Sequence, residues 1–318
     1  MTRSLQQSRA LLLASLPGLL TVFLGGCATQ KTRVVPPAQL RPAQTATKAQ
    51  LLDAYNTQAR AMQSLNATVD LHLTAGSSYS GVIHDYHDAH GFILAGRPSS
   101  IRVIGQAPVI GKNIFDMVSD GSTFRIFIPS KSQFLVGCAE ISHPSSKPAE
   151  NLRPQHVLDA FFWPEISPES LVLIEEFDAD PNRYYVLTVL RHVGDSSGAA
   201  GELEVARKIW FDRADLAIAR LQIYGPAGRL DSDISYSDWG PVGAVQPGAD
   251  APTETGTATP IVFARDVRIT RPQEDYQLEI EITKLALNST IPADRFDLKQ
   301  PEGSQVVRVG DDTCGTEP

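Results

Sequence analysis

Strict alternation of apolar and polar residues, returning many times along one chain, is what most constrains this sequence. Leu65, Ala67, Val69, Leu71 and Leu73 alternate with Asn66, Thr68, Asp70, His72 and Thr74. Successive side chains of a strand point to opposite faces, so the stretch has one buried and one wet face, as antiparallel sheets do. Tyr79 to Tyr86, Gly91 to Ala95, Ser100 to Gly105, Ile114 to Ser119 and Thr123 to Pro129 repeat the signature, with Asp120-Gly121 as a tight turn. Tyr184 to Arg191, Glu204 to Asp212, Ala217 to Tyr224, Leu230 to Trp239, Ile261 to Thr270 and Tyr276 to Leu287 continue it. About eleven strands without strand–helix alternation predict a mainly β fold.

Two segments break the pattern. Leu51, Leu52, Tyr55, Ala59 and Met62 recur at helical spacing, with Asp53, Gln58, Arg60 and Gln63 between them, so an amphipathic helix precedes the first strand. Between Pro154 and Trp163, Val157, Leu158, Phe161 and Phe162 cluster on one side of a short helix that Pro164 closes. Inserted midway through a meander, that helix is expected either to cover the mouth of a curved sheet as a lid or simply to pack against it. Gly194 to Gly201 and Pro241 to Pro260, rich in Gly, Ala, Pro, Ser and Thr, read as loops within one domain.

The chain opens with Arg3 and Arg9, an apolar run from Leu11 to Leu24, and Gly25-Gly26-Cys27, a secretory signal. Pro17, Gly18 and Gly25 interrupt the run too often for a good spanning helix. The motif Leu24-Gly25-Gly26-Cys27 resembles the lipobox of bacterial lipoproteins, whose cysteine is lipidated and becomes the first mature residue. The other readings are an ordinary secretory signal or an uncleaved anchor. The resemblance also brings a sorting rule: aspartate after the cysteine retains a lipoprotein at the inner membrane. Ala28 stands there, which implies a lipid-anchored protein on the periplasmic face of the outer membrane. From Cys27 to Thr47 the chain is polar and carries Pro36, Pro37 and Pro42, a tether. The expected organisation is residues 1–26 signal, 27–47 lipidated cysteine and tether, 48–304 folded domain and 305–318 tail.

Without the signal arginines, 26 basic side chains face 36 acidic ones, a net charge near −10 that argues against nucleic acid as a partner. Cys138 and Cys314, in an oxidising compartment, could pair or remain independent thiols. His84-Asp85-Tyr86-His87-Asp88-Ala89-His90 offers metal-ligand residue types, but on a straight strand His84 and His90 face one way and His87 the other. A solvated hairpin end is expected, and no metal. Glu175, Glu176 and Asp178 read as a solvated strand face, and Trp210 and Trp239 as core or rim residues. No GxSxG elbow, HExxH helix, P-loop or dinucleotide turn occurs, and the chain is read as a non-enzyme without cofactor.

The order of parts resembles the LolA/LolB superfamily of lipoprotein-sorting proteins. The matched elements are the leading helix into Leu65 to Thr74, Gly91-Phe92-Ile93-Leu94 to Arg97-Pro98-Ser99-Ser100-Ile101-Arg102, and Phe115-Asp116-Met117-Val118-Ser119-Asp120-Gly121. The mid-chain helix, Trp210-Phe211-Asp212 and the ending Ile291-Pro292 through Phe296 to Pro301-Glu302-Gly303 complete them. The resemblance implies an unclosed antiparallel β-barrel whose helices cover a hydrophobic cavity for acyl chains. It also implies an exposed apolar residue on a loop beside Pro and Gly, which Val109 and Ile110 of Ala107-Pro108-Val109-Ile110-Gly111 would supply as membrane or acyl contacts. The expected cavity residues are Val69, Leu71, Leu73, Ile101, Val103, Phe124, Ile126 and Ile128, with Phe161 and Phe162 as the lid. The chain is thus expected to be a monomer that meets a membrane through its anchor and takes an acyl chain or lipid as ligand. Its alternative is a structural or interaction lipoprotein whose barrel is filled by side chains, because alternation puts apolar residues inside either way.

Overall fold

The computed structural model describes residues 42–77, 80–140, 144–145, 148–179, 182–193, 202–242 and 261–309. The expectations for Cys27 and Ala28, most of the tether, Cys314 and most of both loops fall outside these residues.

Among the described residues, fifteen strands form one sheet. A first wing holds β1 (Ser64–Ser77), β2 (Val82–Asp85), β3 (Ala89–Gly96), β4 (Ser100–Gln106), β5 (Asn113–Ser119), β6 (Thr123–Ile128) and β7 (Gln133–Cys138). A second holds β8 (Leu171–Ala179), β9 (Asn182–Val193), β10 (Glu202–Asp212), β11 (Ile218–Tyr224), β12 (Leu230–Pro241), β13 (Val262–Arg271) and β14 (Tyr276–Leu287). The wings join where β1 pairs with β14, Leu71 opposite Ile280 and Leu73 opposite Leu278. The last strand, β15 (Gln305–Val309), adds to β7 in parallel. All other pairings are antiparallel, and the sheet ends at β15 on one side and β8 on the other without closing.

Three of these strands carry no alternation. β8 is an edge strand whose residues are nearly all exposed, so no pattern of burial is written into Leu171 to Ala179. β7 is short and mostly half-buried. β15 occupies the start of the expected tail at 305–318, which is therefore sheet for its first five residues. Cys138, at the end of β7, is disulfide-bonded.

Helix α1 (Lys48–Ala61) starts at a capping box: the Gln50 amide donates to Thr47 Oγ1, and the Thr47 amide to Gln50 Oε1. Its buried stripe is Leu51, Tyr55 and Ala59, one residue per turn, as the spacing predicts. The end of the tether is not loose, because the Gln44 amide donates to Arg213 O at 2.7 Å and Gln44 Nε2 to Ala214 O at 3.0 Å. The Arg97 guanidinium donates to Ala59 O, Met62 O and Trp163 O, all at 2.9 Å. It thereby satisfies carbonyls left open at the end of α1 and ties in the exit of the second helix.

That helix, α2 (Pro154–Phe161), touches β4 and β5 of one wing and β13 of the other. Two wings of one sheet can meet the same short helix only if the sheet curls around it, which gives the fold its half-barrel form. Around the exit of α2 the interior is filled. Phe161 stacks on Phe263 at 5.7 Å, Trp163 on Tyr55 at 5.6 Å, and Trp163 meets Tyr236 edge-on at 5.5 Å. Trp163 Nε1 donates to Tyr236 Oη, whose hydroxyl donates to Ala160 O, so the buried polar tips are satisfied.

The two rings expected to form the lid are packed in this structure. Phe161 is wholly buried and Phe162 nearly so, with the Arg97 guanidinium over its ring at 5.3 Å. Aromatics on one side of a short helix read equally well as a cover or a core, and here they are core.

Candidate functional site

The N-terminal half of α2, one turn before Phe161, borders an opening. Five neighbouring strands, β5, β4, β3, β1 and β14, form a continuous floor, and their inward residues stop short of the helix. The result is a cavity of about 300 Å³. Its floor is Leu71 and Leu73 of β1, Ala89 and Ile93 of β3, Val103 of β4, Ile114, Phe115 and Met117 of β5, and Leu278 of β14. Leu152 and Val157 supply the wall on the α2 side, and Tyr86 and His87 the rim. Apart from those two rim residues every lining side chain is apolar, so the interior offers contact area without hydrogen bonds.

Of the expected cavity residues, Leu71, Leu73 and Val103 line this pocket. Val69, Ile101, Phe124, Ile126, Phe161 and Phe162 are buried in the surrounding core instead, and Ile128 packs against it part-buried. Phe124 is taken up by the Arg153 guanidinium, 4.3 Å above its ring. These inward positions share the alternation of the true lining, but the helix and its neighbours cover them. The expectation of a hollow or a filled barrel resolves by region, open beneath β1 to β5 and filled around Trp163.

Two signals for the site were passed over. Gly105 leaves room for the Phe115 ring, since a Cβ there would lie 2.3 Å from it. Tyr86 and His87, read as part of a solvated hairpin end, instead form the rim. Of that cluster, His90 Nδ1 lies 2.9 Å from Asp70 Oδ1, and Asp85 and Asp88 both contact His72 of β1. Among the described residues no group of three or more His, Cys, Asp or Glu is placed to hold a metal ion.

At the same end of the sheet, Gln106 pairs with Asn113 and the chain between them turns back, with the Ala107 amide donating to Lys112 O and the Gly111 amide to Ala107 O, both 2.9 Å. Gly111 adopts φ +62°, a left-handed value that favours glycine. The turn leaves Val109 95 % and Ile110 73 % exposed. Val82 and Ile83 of β2, Tyr86 of the rim and Ile114 in the lining are also exposed. Glu175, Glu176 and Asp178 lie exposed on edge strand β8, far from a cleft role, with Glu176 paired to Arg213 at 2.7 Å.

Away from the lining, α2 carries Asp159, whose carboxyl burial pushes up to about 6, with Arg271 and Arg207 opposing only in part. Its hydrogen bond from Gln155 Nε2 is long, 3.5 Å. A raised carboxyl pKa means that the folded state holds a proton the unfolded chain has already released, so stability falls as pH rises from about 4 to about 6. Asp159→Asn is therefore expected to stabilise the protein above pH 6 by about 1–2 kcal/mol, less than the full shift because the residue keeps some solvent contact. Urea unfolding at about pH 4 and about pH 8 checks this: the variant should gain only at the higher pH.

No protein-family model matches the chain, and no curated protein does. Solved structures similar to it include a DUF1329 family protein from Desulfovibrio piger ATCC 29098, 13 % identical with TM-score 0.45, covering 77 % of this chain and 94 % of that one. A LolA superfamily protein from Nitrosomonas europaea is 12 % identical with TM-score 0.43, covering 80 % and 99 %. The second is from the superfamily that the sequence resembles. At such identities and TM-scores these likenesses say nothing of what the pocket holds.

Proposed function

We propose that this chain is a lipoprotein, anchored through Cys27 at the periplasmic face of the outer membrane, that takes up an acyl chain in the pocket beneath β1 to β5, in lipid transfer or lipoprotein sorting. The observation that carries the reading is the pocket itself: an apolar interior whose hydrogen-bonding side chains, Tyr86 and His87, both stand at the exposed rim. A ligand suited to it is apolar at the buried end and polar at the other. At about 300 Å³ it lies at the small end of ligand pockets, enough for part of one chain. The exposed Val109 and Ile110 beside it are suited to touching a bilayer or a second acyl chain while the ligand passes.

Native mass spectrometry of protein purified without detergent should show co-purifying lipid. Ala89→Phe tests the place of binding, because Ala89 lines the floor and a ring there would occupy the space of the ligand. A fluorescent fatty acid is expected to bind the variant at least about tenfold more weakly, a difference of about 1.4 kcal/mol, while thermal unfolding stays cooperative. Absence of any fatty-acid binding by the wild type would leave the interaction-lipoprotein reading.

A further inference from the structure

After β1 the chain runs back along it in two pieces. β2 sets Asp85 opposite Thr74, and β3 sets Ala89 opposite Leu71. Between these pairs two residues of β1, His72 and Leu73, face three, Tyr86, His87 and Asp88. One extra residue is a bulge, a device that re-aims side chains. Here it lets Tyr86 and His87, adjacent in sequence, both line the pocket.

Leu71 and Leu73 line the pocket, and His72 between them projects from the other face. There it spans the bulge: Nε2 lies 2.7 Å from Asp85 Oδ1 and Nδ1 2.7 Å from Asp88 Oδ1. Ionised carboxylates only accept hydrogen bonds, so both ring nitrogens donate, and an imidazole with two N–H groups is the cation. We propose that protonated His72 is a brace that holds the pocket rim in place, and that the rim loosens to let an acyl chain in or out as His72 loses its proton. This rests on the acyl-binding reading of the pocket.

The surroundings favour the charged form. Asp70 stands two residues before His72 on β1, beside His90 of β3. On β14, Glu279 lies opposite His72 and Glu281 opposite Asp70. The nearby cation Arg268 of β13 is engaged by Glu279 at 3.0 Å. His84 of β2 and Tyr86 and His87 of the bulge are further titratable neighbours. The hydrogen bond to Asp88 is the largest influence raising the His72 pKa; burial opposes it, and the charges of Asp85 and Asp88 add to it. A raised histidine pKa means that the brace is complete below the ordinary value near 6.5 and is lost as pH climbs through the raised one. A neutral imidazole retains one N–H and can hold only one of the two carboxylates.

The test pairs the wild type with His72→Gln, which cannot titrate and whose half-buried position on the face away from the pocket spares the core. In ligand-free protein, hydrogen exchange of the Tyr86 amide, which donates to Leu73 O at 3.0 Å, reports the rim directly. At about pH 5.5 it should be about tenfold better protected in the wild type than in the variant, and at about pH 9 equally protected. Exit of a fluorescent fatty acid from the wild type should quicken about tenfold over that range relative to the variant. An Asp85→Asn/Asp88→Asn variant should behave as His72→Gln does. Equal Tyr86 protection in wild type and variant at pH 5.5 overturns the brace, as does fatty-acid exit with the same pH dependence in both. Protection that follows His72 in a protein that binds no fatty acid leaves the brace standing and removes the acyl reading.

Discussion

Phe161→Ala is expected to destabilise the protein by about 3–5 kcal/mol, the range for removing a large ring from a packed core. The ring is wholly buried, stacked on Phe263 at 5.7 Å, and sits two residues before Trp163, whose carbonyl accepts from Arg97. Truncation leaves a cavity between β13 and α2, whose C-terminal end is held by Arg97, Trp163 and Tyr236, so the gap cannot readily collapse. Chemical denaturation should show a lower midpoint with the slope unchanged. Because Phe161 does not line the pocket, fatty-acid affinity under conditions where the variant is folded should stay within about threefold of the wild type. A loss of stability below about 1 kcal/mol would mean that the helix end moves as a lid does and is not held as core.

Cys27→Ser should move the protein completely from the membrane to the soluble fraction. The motive is the Leu24-Gly25-Gly26-Cys27 motif after an interrupted apolar run. Each buried methylene of an attached chain contributes roughly 0.8 kcal/mol, and two or more chains together hold a protein on a bilayer where one is marginal. No helix among the described residues is long and apolar enough to cross a membrane in its place. The intact mass should fall by the lipid increment, and a variant that still fractionates with membranes and still carries lipid would remove Cys27 as the anchor. With anchoring lost, the folded domain and its pocket should be unchanged, which makes the variant a convenient form for the binding experiments.

The sequence by itself determined the class of fold, because burial on one face of a strand must write period two into the residues, as Leu65 to Leu73 and Tyr276 to Ile282 show. It placed α1 through one apolar residue per turn, whereas it was the tertiary structure that left Val109 and Ile110 standing out and not folded under the barrel end. Edge strands escaped it, since β8 and β15 are held by backbone hydrogen bonds that leave little mark on side-chain type. Only the tertiary structure decided where the barrel is hollow. Val69 and Leu71 are successive inward residues of one strand, yet Leu71 meets open space and Val69 meets packed core. The difference lies in what the rest of the fold packs against each of them, contacts between distant segments that no local period encodes. Likewise the bulge at Tyr86 to Asp88 exists because Thr74 and Leu71 each find a partner on a strand one residue too long, a fact of register between segments and not of either alone.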